Sequence, residues 1–271
     1  MKIIKKYNFI NKSTNNVKLT IGLPIYRCQH IFWLVLEGLS RQKNINFDWE
    51  IVAIEEKEDN IGKKLFPLYA DQLKKIGCVN IHYSIIEKWI PLSYKWHYLA
   101  NVSAISSLCF LLQGADDFPQ PFRLKETYDI FEKINPDWVK TPIGLFYDIS
   151  SGNVALQKKN GCGRDMAIKM KLMKQLPLTI RKSSVDHWIF YTLQNINKKT
   201  LNVYTNNTNN WKHGFCTAGL NNISEDRSKY ICQLIHPFTK YNKIKFLRDI
   251  PKKIIIKITN CMKYTKTNKY I

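Results

Sequence analysis

Four short apolar runs, rich in β-branched residues, recur along the first 117 residues with helical-period segments between them, and that alternation admits few folds. Residues 17–23, VKLTIGL, read as a buried strand that ends at Pro24. Ile31, Leu34, Val35 and Leu39 then share one helical face with Gly38, which suits a helix lying close against a sheet. Residues 49–54 read as a second strand that leaves into Glu55, Glu56, Glu58 and Asp59. The spacing predicts a helix over 67–76 with Pro67 in its first turn, a third strand over 79–85, a helix over 94–107, and a fourth strand over 108–112 that runs into Gly114, Ala115, Asp116 and Asp117. Such an order predicts an α/β domain with a mainly parallel central sheet, helices on both faces, and ligands at the carboxyl ends of the strands. The acidic residues gather at those ends.

The second half is less regular. It offers an edge strand over 138–146 interrupted by Pro142, a Gly-rich turn at Gly161 and Gly163, a helix over 166–175 and another over 186–193. After Pro237 ten basic residues face a single acid, Asp249, and alternate with Ile and Leu. That pattern suits a segment lying on an anionic membrane surface; a solvated C-terminal helix fits it equally well.

The formal charge of +21 raises nucleic acid as a partner, with salt-dependent binding as its signature. Two counts weaken it. Lys, Ile and Asn (35, 34 and 24) make up about a third of the chain, the mark of an AT-rich coding bias, and Arg, the better fork for phosphate, supplies only 7 of the 42 basic residues. No specific nucleic acid is therefore expected. Seven cysteines without a CxxC pair indicate neither a zinc site nor a disulfide framework, so a reducing compartment is expected. The start lacks a signal-peptide profile and no run reaches the ~18 apolar residues of a membrane span. These features predict a cytoplasmic protein, not secreted, that touches a membrane only if its tail does.

Neither GxxxxGK[ST] nor a strand-turn-helix GxGxxG is present, and GxSxG is missing, so a P-loop, a dinucleotide site and a nucleophile elbow are unsupported. What remains is the order of strand-end acids. The segments TIGLPIYRCQHIFWLVLEGLSRQ (20–42), FDWEIVAIEE (47–56), LCFLLQGADDFPQPFRL (108–124) and SVDHWIF (184–190) together resemble family 2 glycosyltransferases of the GT-A fold. The likeness is good over 17–124, weaker over 125–235 and absent beyond. It implies an N-terminal extension at 1–16, a GT-A catalytic domain at 17–236 with a nucleotide-binding half (17–117) and an acceptor half (118–236), and a basic tail at 237–271.

The resemblance implies an inverting, metal-assisted transfer of a sugar from a nucleotide-diphospho donor, UDP-sugar favoured, to a glycan or lipid-linked acceptor. Pro24 and Tyr26 would shape the base pocket, with Glu55, or next Glu56, accepting from the base and Lys95 contacting phosphate. Asp116 and Asp117 would hold Mn²⁺ or Mg²⁺, because a leaving diphosphate needs hard cationic neutralisation. The family's usual first acid is replaced here by Gly114. Asp186 would be the base that takes the acceptor proton, His213 a late metal or diphosphate ligand, and Arg164 with Asp165 part of the acceptor pocket.

Each residue also carries a plain structural reading. Asp117 and Asp186 fit helix N-caps, Tyr26 with Glu55 a strand-ending turn, His213 a polar turn, and Arg164 with Asp165 a Gly-rich turn. Two rival functions follow from the same letters: a non-catalytic GT-A scaffold, suggested by Gly114 and by Val185 in place of an acid, and a basic nucleic-acid-binding protein.

Overall fold

The computed structural model of the chain describes residues 1–14, 16–29, 31–119, 121–139, 144–148, 154–157, 166–180, 185–196 and 231–235. Along these run β1 (Ile3–Asn11), β2 (Val17–Ile25), α1 (Phe32–Ser40), β3 (Asp48–Glu56), α2 (Ile61–Lys75), β4 (Cys78–Ile86), α3 (Leu92–Val102), β5 (Cys109–Leu112), β6 (Asp117–Pro119), α4 (Arg123–Lys133), β7 (Trp138–Val139), β8 (Gly144–Asp148), β9 (Val154–Gln157), β10 (Ala167–Lys169), α5 (Met170–Gln175), α6 (Val185–Ile196) and β11 (Ile231–Ile235).

The main sheet has the order β1-β4-β3-β2-β5-β10-β7. Its centre, β4-β3-β2-β5, is parallel, and both flanks are antiparallel. A second sheet, β6-β11-β8-β9, stands apart from it. The fold class expected from the alternation is the one observed. β2 is buried along nearly its whole length because helices cover both of its faces, which is why its sequence is continuously apolar rather than alternating.

Two cores sandwich the sheet. On one face Phe32, Leu36 and Leu39 of α1 meet Phe66 and Leu73 of α2 and Leu124 and Phe131 of α4. On the other, Trp96 and Leu99 of α3 meet Met170 and Met173 of α5 and Ile189 and Leu193 of α6. Gly22 has a local reason: a Cβ there would overlap the Phe110 ring, which lies across β2 from the adjacent β5. Pro24 follows Gly22, the last residue of β2 in register with β5, so its missing N–H costs that ladder nothing.

Several elements differ from the sequence reading. Residues 3–11, within the expected N-terminal extension, pair antiparallel with β4 as an edge strand. α2 begins at Ile61, so Pro67 lies inside the helix and not in its first turn. α3 ends at Val102, where Ser103 turns extended and returns its hydroxyl to the Leu99 carbonyl. Residues 167–169, expected to be helical, form β10 between β5 and β7, and the helix starts only at Met170. The interrupted strand over 138–146 is two strands in two sheets, β7 and β8. Among the described residues no helix is long and apolar enough to cross a membrane.

Candidate functional site

The order of the main sheet sets where a ligand can bind. From β2 the chain moves outward through β3 to β4, then α3 carries it back across to β5 on the other side of β2. The strand order therefore reverses between β2 and β5, and the carboxyl ends of those two strands are where an open α/β sheet takes its ligand. Three stretches meet there: 24–29 after β2, 55–59 at the end of β3, and 113–117 after β5.

The stretch after β2 is a held turn. Arg27 adopts a left-handed backbone, φ 51°, and its N–H donates to Asp59 Oδ2 at 2.8 Å. Gln29 donates its side-chain amide to Asp59 Oδ1. Asp59, the last of the acids that follow the second strand in the sequence, is thus the anchor of the loop. Tyr26 is 40% exposed, with the Arg27 guanidinium 5.0 Å and the Lys95 ammonium 5.2 Å from its ring centroid. Cys28 is buried just behind and donates to the Tyr26 carbonyl at 3.0 Å. Burial lifts its thiol well above the ordinary range, and the charges of Asp116, Asp59 and Asp117 push the same way. The Gln113 N–H donates to the Gly22 carbonyl at 3.1 Å, so the acid loop after β5 starts beside the end of β2.

At the end of β3 successive side chains point to opposite faces, and the two glutamates part company. Glu55 is fully buried on the α2 side. Its Oε1 accepts from Ile61 N–H at 2.8 Å, and its Oε2 accepts from Gly62 N–H at 2.8 Å and from the Tyr83 hydroxyl. Glu55 therefore closes the amino end of α2, where Asn60 at the cap position makes no side-chain bond. Glu55, expected to read a base, instead has both oxygens bonded to the start of α2 and to Tyr83, with no exposed surface. Burial still raises its carboxyl above the usual range, against the pull of those donors.

Glu56 lies on the other face, 1% exposed, and pairs with Lys95, itself 3% exposed. Burial raises the Glu56 carboxyl and lowers the Lys95 ammonium, each opposed by attraction to the partner. Glu56 Oε2 has no hydrogen-bond partner among the described residues. Lys95, expected at a phosphate, is thus held by Glu56 against the Tyr26 ring.

The loop after β5 is the densest part of the site. Gln113 is fully buried and donates to the carbonyls of Gly114 at 2.9 Å and Asp117 at 2.6 Å. A Cβ on Gly114 would stand 3.0 Å from Asp116 Oδ1 and would collide with the carboxylate of Asp117. Both acids therefore lean over the bare face of Gly114, and the space that an acid at 114 would need is already taken by Asp117. Asp117 opens β6, while Phe122 occupies the cap position of α4 with no side-chain bond, so the helix-cap reading of Asp117 is set aside.

α6 already begins at Val185, which puts Asp186 in its first turn rather than at the cap. His213, Arg164, Asp165 and the basic tail at 237–271 lie outside the described residues. Arg123 and Gln113 drew no attention in the sequence; the one available signal is a rare Arg set between apolar neighbours in PFRL.

No protein-family model matches the sequence, and no curated protein sequence does. Solved structures do match. The crystal structure of S. aureus TarS 1–349 aligns with a TM-score of 0.51 at 14% identity, over 65% of this chain and 55% of that one. The longer crystal structure of S. aureus TarS gives 0.51 at 13% identity, over 65% of this chain and 33% of that one. TarS 1–349 in complex with UDP-GlcNAc gives 0.54 at 12% identity, over 94% of this chain and 68% of that one. The chain thus spans about half the length of the first of these and a third of the second. TarS is a glycosyltransferase, and at such identities the likeness establishes a shared GT-A-like fold.

Proposed function

We propose that this chain is a glycosyltransferase that moves a sugar from a nucleotide-diphospho donor, a UDP-sugar first, to a glycan or lipid-linked acceptor with inversion. The observation that carries the reading is the convergence of the Asp116 and Asp117 carboxylates over Gly114, at the switch point of the sheet. The fold shared with TarS, crystallised with UDP-GlcNAc, supports a UDP-sugar as donor.

Two carboxylates of hard oxygen character suit Mn²⁺ or Mg²⁺, and Asp116 and Asp117 are the residues that would hold it. Such an ion supplies neutralisation of the diphosphate as it leaves. The chain's own groups do the rest. Tyr26 offers a flat face to the base, with Pro24 setting the exit of β2 that presents it. Glu56, whose Oε2 has no hydrogen-bond partner among the described residues, is the first acceptor on the base side, with Glu55 next, and Lys95 holds Glu56 in place. Asp186, in the first turn of α6, takes the proton of the acceptor hydroxyl, and a carboxylate opposite the leaving group is what direct displacement requires. His213, Arg164 and Asp165 are proposed, on the family resemblance, as a late diphosphate or metal ligand and as acceptor contacts.

A panel of nucleoside diphosphates and nucleotide sugars, read by thermal shift with and without Mn²⁺, tests the reading. UDP with Mn²⁺ should raise the melting temperature and UDP-sugars should be slowly hydrolysed; no shift with any diphosphate overturns it. The loss of an acid at 114 favours a second reading, a binding-only scaffold, which predicts the shift without the hydrolysis.

A further inference from the structure

Behind the acid loop lies a guanidinium with no exposed surface. Arg123, the first residue of α4, donates through Nη1 to Gln113 Oε1 and through Nη2 to the Leu112 carbonyl at 2.9 Å. Burying a cation is costly unless its donors are satisfied, so a fold that keeps one there has tied it to something. The start of α4 is itself fixed: the Leu124 N–H donates to Gln42 Oε1 at 2.9 Å, Gln42 returns its amide to the Gly38 carbonyl at 3.0 Å, and the Thr127 hydroxyl donates to the Arg123 carbonyl at 2.8 Å. Arg123 thus reaches out from a helix end that is locked onto α1.

The link to the loop runs through one amide. A guanidinium only donates, so the end of Gln113 that faces Arg123 must be its oxygen. The amide nitrogen then points at the carbonyls of Gly114 and Asp117, and both bonds are made. Those carbonyls bracket Asp116. The Asp117 N–H closes the same turn onto the Gly114 carbonyl at 3.3 Å.

We propose that Arg123 is a positioning residue of this site, acting through Gln113 to fix the backbone that aims the Asp116 and Asp117 carboxylates. The inference rests on the reading of that loop as a cation and diphosphate site. It differs from a merely structural role in what it moves. Outer partners of metal-holding side chains change affinity by about 10–100-fold when lost, whereas a packing contact changes stability alone.

Gln113→Glu is the discriminating variant, because its carboxylate still satisfies Arg123 but cannot donate to the two carbonyls. Thermal-shift titrations with Mn²⁺ plus UDP give a midpoint, and donor hydrolysis gives kcat and KM separately. The expected result is a midpoint raised about tenfold or more and a lower kcat, beyond the fall in unliganded melting temperature that two carbonyls without their donor produce. Arg123→Lys, which keeps the charge but cannot span both Gln113 and Leu112, should move the midpoint the same way. A parent that responds to Mn²⁺ plus UDP while both folded variants keep its midpoint overturns the positioning role and spares the functional reading. If Gln113→Glu does not fold, Arg123→Lys decides alone by the same midpoint. A parent without any response overturns both.

Discussion

The carboxylate of Glu55 accepts the Gly62 N–H at 2.8 Å, a bond from the end of a central strand to the first turn of the next helix. With the Ile61 N–H on its other oxygen and the Tyr83 hydroxyl beside it, Glu55 does from the sheet what a local cap residue does from the chain.

Glu55→Gln replaces an acceptor by a donor facing those N–H groups, which leaves at least one of them buried and unmet. We expect a loss of about 1–3 kcal/mol in urea unfolding. With both Glu55 oxygens bonded to α2, the Mn²⁺–UDP midpoint should stay within about twofold of the parent's, a change of only about 0.4 kcal/mol. A large change in that midpoint would return Glu55 to the nucleotide site.

Lys95→Met should be strongly destabilising. It strands Glu56 in a site that is 1% exposed, and breaking one side of a buried pair costs about 3–5 kcal/mol. Adding Glu56→Gln to Lys95→Met should recover much of the loss, because the pair then disappears together. A double-mutant cycle by chemical denaturation checks this, and strictly additive losses would contradict it.

Asp116→Asn tests the loop directly. With Mn²⁺ and UDP near 100 times the dissociation constant, the parent should gain about 2.7 kcal/mol of stability. The variant should fold with an unchanged baseline and lose most of that gain together with donor hydrolysis.

Gly114→Ala should act on the same response from the other side. Its methyl needs the volume that the Asp117 carboxylate fills, and overfilling a packed site costs about 1–3 kcal/mol. Gly114→Asp, although it rebuilds the family's first acid, should weaken Mn²⁺–UDP binding rather than strengthen it, because it displaces Asp117. Titration of both variants by thermal shift measures this.

Alkaline pH should reveal Cys109. Burial alone lifts its thiol well above the ordinary value of 9.0. The unfolded chain therefore releases this proton first, so the thiol's contribution is complete below pH 9 and is lost as pH rises toward the folded value. Relative to Cys109→Ala, the parent should lose about 1 kcal/mol between roughly pH 9 and 10. An equal slope in parent and variant would count against a buried thiol at this position.

What the sequence determined by itself was the alternation: β2, β3, β4 and β5 and the helices between them are legible because a strand covered on both faces must be apolar throughout, and an amphipathic helix must repeat with its own period. It also put acids where strands end, without saying whether they meet solvent, a ligand or, as Glu55 does, the next helix. Tertiary structure decided the rest. Glu55 and Glu56 are neighbours in sequence, yet the pleat sends one to cap α2 and the other to meet Lys95, and nothing in the letters says which face holds which partner. Pro67 marks a helix start by local rule, but a carboxylate from β3 moved that start six residues earlier. β1 and β10 are decided by pairing: β1 closes one edge of the sheet against β4, and β10 joins β5 to β7. Arg123, Gln113 and Gly114 acquire meaning only when α4 is laid beside β5, because the volume over a glycine and the direction of an amide are set by what packs against them.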